Sequence, residues 1–136
     1  LAENGDPKAV DLMMDWAHGP AGHFGGHPVP GLHHINLGGS IVINGSVKNA
    51  LGVDFRACDN YKNGFVAAKK IKCPAINILG DRDRMCPIKE GKKLADNIEN
   101  SEVKIIENCG HMILLEEAGK SLELLKQFIR KNHPAE

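Results

Sequence analysis

The stretch Pro74-Ala75-Ile76-Asn77-Ile78-Leu79-Gly80-Asp81-Arg82-Asp83-Arg84-Met85-Cys86-Pro87 decides how this chain is read. Its first half is a short apolar run containing β-branched isoleucines and closed by glycine, the pattern of a buried strand. Its second half is polar, holds two aspartates and ends on a proline suited to open a helix. Beyond it, Ile88, Gly91, Leu94, Ala95 and Ile98 recur on one helical face, and Asn100-Ser101 makes a turn. Residues 103–106 read as a second strand and run into Asn108-Cys109-Gly110-His111-Met112. Residues 118–132 form a last helix with Leu122, Leu125, Phe128 and Ile129 facing inward. The order is β-α-β-α, an α/β arrangement in which the two strands are parallel.

In open α/β sheets the functional groups gather beyond the carboxyl ends of the strands. Asp83 follows the first strand and His111 the second, so adjacent strands would bring them to one edge. A carboxylate there accepts the Nδ1 proton of the imidazole, fixes its tautomer and leaves Nε2 to take a proton from a nucleophile. Acid before histidine is also the order that follows the serine in α/β hydrolases.

The residues then support a resemblance. Ile71-Lys-Cys-Pro-Ala-Ile-Asn-Ile-Leu-Gly-Asp-Arg-Asp-Arg-Met-Cys-Pro87 resembles the acid-bearing strand and loop of the α/β-hydrolase family. In that pattern the catalytic aspartate stands three residues after the glycine, which selects Asp83 and not Asp81. Asn108-Cys-Gly-His-Met-Ile-Leu-Leu-Glu116 resembles the family's Gly-His segment, with a glutamate five residues after the histidine. His111 falls on the catalytic base. The family often has proline two residues after that glutamate, where this chain has Ala118. The likeness spans residues 71–130, and the part before it is similar to the family's helical cap. It implies a partial α/β-hydrolase fold and, in the intact protein, a serine hydrolase acting on an ester-like small molecule without a cofactor.

The nucleophile elbow, G-x-S-x-G between a strand and a helix, occurs nowhere in the chain. Gly38-Gly39-Ser40-Ile41-Val42 comes nearest, but β-branched Val42 stands where the elbow needs glycine, and Asn44-Gly45 interrupts any following helix. Ser40 therefore reads as a loop or cap serine, and no nucleophile is assigned. Cys109, two residues from His111, faces a different way and reads as a small buried hydrophobe. His18-Gly19 ends a helix and so lies in the wrong context for an oxyanion-hole amide. The cluster His18, His23, His27, His33 and His34 matches no zinc spacing, and no metal is assigned.

Upstream, Asp6 is a good N-cap and Pro7 a good first helical residue. Val10, Met13, Met14 and Ala17 follow on one face, broadened by Leu12 and Trp16, and Gly19-Pro20 stops the helix. Residues 19–40 are a Gly-, Pro- and His-rich loop, and residues 46–71 return to helix with interruptions at Gly52 and Gly64. This divides the chain into a cap-like segment, residues 1–70, and a core part, residues 71–136.

Seventeen basic residues balance seventeen acidic ones. The lack of a basic excess disfavours nucleic acid and anionic membrane surfaces as partners. No apolar run approaches membrane-spanning length, and residues 1–7 are not a signal peptide. Cys58, Cys73, Cys86 and Cys109 are widely spaced and read as reduced, partly buried thiols of a cytoplasmic protein. Without an initiator methionine or an elbow, the chain reads as the carboxyl-terminal part of a hydrolase, inactive alone. The exposed edge of its first strand implies a homo-oligomer. The alternative is a non-enzymatic α/β binding or oligomerisation module.

Overall fold

The computed structural model describes residues 1–19 and 49–133. A short 3-10 turn, Ala2–Asn4, precedes helix α1, Lys8–Ala17. Asp6 acts as expected: its Oδ1 accepts the Lys8 amide at 3.0 Å, and its carbonyl accepts the Ala9 amide at 2.9 Å. Helix α2, Ala50–Asn60, and helix α3, Gly64–Ala68, follow. Gly52 does not interrupt α2 but lies inside it. A Cβ there would stand 2.6 Å from the Ala2 carbonyl oxygen, so this glycine is a point of close approach to the 3-10 turn. The break falls instead at residues 61–63.

Strand β1, Ala75–Gly80, pairs in parallel with strand β2, Ser101–Ile106, in register from Ala75 opposite Ser101 to Gly80 opposite Ile106. The Asn77 amide reaches across to donate to Ser101 Oγ at 2.7 Å. Between the strands lies helix α4, Ile88–Ala95, against both of them. Gly91 and Ala95 are buried on its inner face, and small residues let the helix axis come close to the sheet. After β2 come a single helical turn, α5, Ile113–Glu116, which the pattern did not announce, and the long helix α6, Ala118–Asn132.

The parallel α/β order is as the sequence implies, but several apolar faces are open. Leu12 and Trp16 on α1, Leu94 on α4, and Leu122 and Ile129 on α6 are exposed, whereas Ser121 is buried. The last helix thus turns Ser121 inward and leaves two of its four expected core residues outside. Cys58 and Cys73 are exposed rather than partly buried. Among the described residues no helix is long and apolar enough to cross a membrane. Ser40 and His23, His27, His33 and His34 lie outside the described residues.

Candidate active site

The two strand ends grow into loops that run side by side. The Asp81 amide donates to the Ile106 carbonyl at 3.1 Å and the Arg82 amide to the Cys109 carbonyl at 2.9 Å, continuing the pairing beyond β1 and β2. Gly80 is required here, because a Cβ would collide with the Cys109 and Gly110 carbonyls. On the opposite loop Asn108 adopts φ 58°, a left-handed conformation that asparagine tolerates better than most residues. That turn redirects the chain from β2 toward His111.

Asp83 and His111 meet at the carboxyl edge of the sheet. His111 Nδ1 lies 2.9 Å from Asp83 Oδ2. A carboxylate accepts only, so Nδ1 is the protonated nitrogen and donates. The other carboxylate oxygen, Oδ1, accepts the Met85 amide at 2.8 Å and the Cys86 amide at 2.7 Å. These bonds hold the carboxylate in one orientation. The Asp83 side chain is 6% exposed and that of His111 42%, so the acid is shielded while the imidazole stays open to solvent. A cavity of about 320 Å³ lined by Ile78, His111, Met112 and residues 113–115 opens beside it. Asp81 does not reach His111; its Oδ1 accepts the Cys109 amide at 3.3 Å and ties the two loops together.

A third segment joins them. The Ala17 carbonyl at the end of α1 accepts the His111 and Met112 amides at 2.9 and 3.0 Å. Glu116 Oε2 accepts the Gly19 amide at 2.8 Å and the Gly110 amide at 3.0 Å. Gly19 and Gly110 face each other so closely that a Cβ on either would strike the other's backbone. Arg84, next to the acid, donates to Asp15 Oδ2 at 2.9 Å and lies over the Trp16 ring at 5.3 Å, linking its loop to α1. Near this link an apolar cavity of about 480 Å³ is lined by Leu12, Met13, Trp16, Phe55 and Met85, among others. It touches the acid loop through Met85 only, so the smaller cavity at His111 is the one placed for chemistry.

Cys109 is fully buried, and burial, followed by Glu116 and Glu117, pushes its thiol up to about 12. It is neither reachable nor ionised near neutral pH and does not act as a nucleophile. Burial, Asp83 and Glu90 likewise raise the Cys86 thiol. His18 is buried, with Nδ1 2.9 Å from the Met14 carbonyl of its own helix. Among the described residues no group of three or more His, Cys, Asp or Glu could hold a metal. Local pattern marks Glu116 only by its spacing from His111; it reports neither the bridge to Gly19, 97 positions away, nor the Ala17 carbonyl and the Arg84 clamp.

No family model matches the chain. Curated relatives match it in part. The monoacylglycerol lipase ABHD6 of Bos taurus is 38% identical over 64 residues, 47% of this chain and 19% of that protein. The 2-hydroxy-6-oxononadienedioate/2-hydroxy-6-oxononatrienedioate hydrolase of Burkholderia vietnamiensis is 32% identical over 62 residues, 46% of this chain and 22% of that protein. The matched segment thus spans about a fifth of either relative. Among solved structures, a thermophilic esterase from Thermogutta terrifontis superposes with a TM-score of 0.76 at 17% identity, covering 92% of this chain and 44% of the esterase. The esterase of Exiguobacterium antarcticum gives 0.73 at 17% identity, covering 94% and 44%. Sequence relatives and fold agree: the chain is related to the α/β-hydrolase family and carries part of its fold.

Proposed function

We propose that this chain supplies the acid and the general base of a serine hydrolase, with residues 1–70 as a cap-like segment over the core part, residues 71–136. The observation that carries this reading is the 2.9 Å bond between His111 Nδ1 and a carboxylate already oriented by two backbone amides. Such a pair holds Nε2 ready to accept a proton. The nucleophile would be a serine in an elbow outside this sequence. His111 Nε2 takes the hydroxyl proton as Oγ bonds to the carbonyl carbon of an ester-like substrate. The tetrahedral adduct then expels the alkoxide, which leaves with that proton. Water, deprotonated by the same Nε2, attacks the acyl carbon, the acyl–Oγ bond breaks, and serine regains its proton. The names of the relatives (lipase, hydrolase, esterase) support ester or related bonds as the substrate class, and the apolar lining of both cavities fits an uncharged organic group.

Without an elbow the chain alone should neither turn over an activated ester such as a p-nitrophenyl acetate nor react with a fluorophosphonate probe. Turnover that disappears in His111→Ala, or probe labelling abolished by Ser40→Ala, would replace this reading with a complete small enzyme. The open faces of α1 and α6 favour a second reading, a non-enzymatic binding or oligomerisation module. In that case Asp83→Asn and His111→Ala would leave binding unchanged.

A further inference from the structure

We propose that Glu116 is a positioning residue for His111, acting by bridging the backbone on both sides of it; the proposal rests on His111 serving as the base. Two buried backbone donors, the amides of Gly19 and Gly110, need an acceptor. Gly19 and Gly110 are both buried and press against each other so closely that neither can carry a side chain. Leaving both amides buried without an acceptor would be costly. Glu116 Oε2 accepts both, at 2.8 and 3.0 Å, from a helical turn five residues beyond the histidine. Gly110 immediately precedes His111, whose own amide, with that of Met112, is held by the Ala17 carbonyl two residues before Gly19. The imidazole therefore hangs from a backbone segment pinned at three successive amides, 110, 111 and 112, to the end of α1. Two of those bonds go directly to α1, and the third goes through Glu116.

The carboxylate also pays a cost that a plain spacer would avoid. Its second oxygen, Oε1, is buried and has no hydrogen-bond partner among the described residues. A charged group half stripped of partners is tolerated where its other oxygen makes two charge-assisted bonds to buried amides. Removing it frees Gly110 and lets the His111 backbone drift away from Asp83, whose carboxylate is fixed independently by the Met85 and Cys86 amides. The acid would stay and the base would move.

The test uses the full 136-residue chain, isotope-labelled for NMR. The low-field Nδ1–H resonance of His111, assigned by its absence in His111→Gln, reports the bond to Asp83. In Glu116→Ala the resonance should disappear and the Gly19 and Gly110 amides should exchange roughly ten- to a hundredfold faster, as for a lost charge-assisted bond. The β1 and β2 amides should keep their shifts. Glu116→Gln retains an oxygen that can accept both amides and should keep the resonance. A folded Glu116→Ala with an unchanged His111 resonance overturns the proposal. So does a folded Glu116→Gln that loses it, or a failure of both variants to fold, which would make Glu116 a support of the whole fold. None of these readouts involves turnover, so their failure leaves the hydrolase reading standing, and an absence of hydrolysis leaves them unaffected.

Discussion

Both oxygens of the Asp83 carboxylate are engaged, one by two amides and one by His111, so rotation of the acid would break three bonds at once. Next to this rigid pair sits a thiol kept neutral. Cys109 has an ordinary value of 9.0 and is pushed up to about 12 in the fold. Below pH 9.0 it is protonated whether the chain is folded or unfolded and adds no pH dependence. Between 9.0 and about 12 the unfolded chain ionises first, so native stability falls as pH rises through that window. Urea unfolding near pH 8 and near pH 10.5 should show a larger loss for the wild-type chain than for Cys109→Ala. Equal losses would mean the thiol titrates normally. Iodoacetamide near pH 8 should label Cys58 and Cys73 in the native chain and spare Cys109 until it unfolds.

Helix α4 packs on strand β1 where Gly91 meets Leu79. A methyl added to Gly91 would stand 2.6 Å from Leu79 Cδ2. Alanine favours a helix over glycine by about 1 kcal/mol, whereas overpacking costs about 1–3 kcal/mol. The contact therefore decides the sign. Gly91→Ala should be neutral to destabilising in the wild-type chain and stabilising by about 1 kcal/mol in a Leu79→Ala background, where the space exists. The double-mutant cycle should give a coupling of about 1–3 kcal/mol in denaturant unfolding. A coupling near zero would place α4 farther from the sheet. At Gly19, Gly80 and Gly110 the obstacle is backbone, which has no rotamer to change, and alanine there should be worse than at Gly91.

Among the described residues the buried apolar set is thin: alanines at 9, 17, 68 and 95, with Val10, Met14, Ile98, Ile106 and Cys109. Among the described residues Ile105, Leu114, Leu122 and Ile129 lie exposed around a sheet of two strands, β1 and β2, which is marginal as an independent unit. The esterases that share the fold have more than half of their chain beyond the part matched here, since the match covers 44% of each. We expect the isolated chain to cover this surface by self-association. Light scattering should show a mass above 14.8 kDa that rises with concentration, and anilinonaphthalene sulfonate should bind the dilute species more strongly. A clean monomer that does not bind the dye would count against an open apolar face.

Local pattern by itself determined the two strands, the helix between them, the first and last helices and their order, though not the single turn α5. The apolar run ending at Gly80 is β1, residues 118–132 are the last helix, and Asp6 caps the first, because period, caps and breakers act within a few residues. It also placed Asp83 and His111 on the loops after the two strands; the pairing of β1 with β2 brings those loops to one edge. Only the tertiary structure decided what those loops rest on. Periodicity reports which face of a helix is apolar, but not whether anything covers it, so Leu122 and Ile129 read as inward and stand exposed. Gly52 looked like a breaker, yet it is where α2 meets the carbonyl of Ala2. The spacing from His111 marks Glu116 as a motif residue, but only the tertiary structure shows that its carboxylate accepts the amide of Gly19, 97 positions away, as well as that of Gly110.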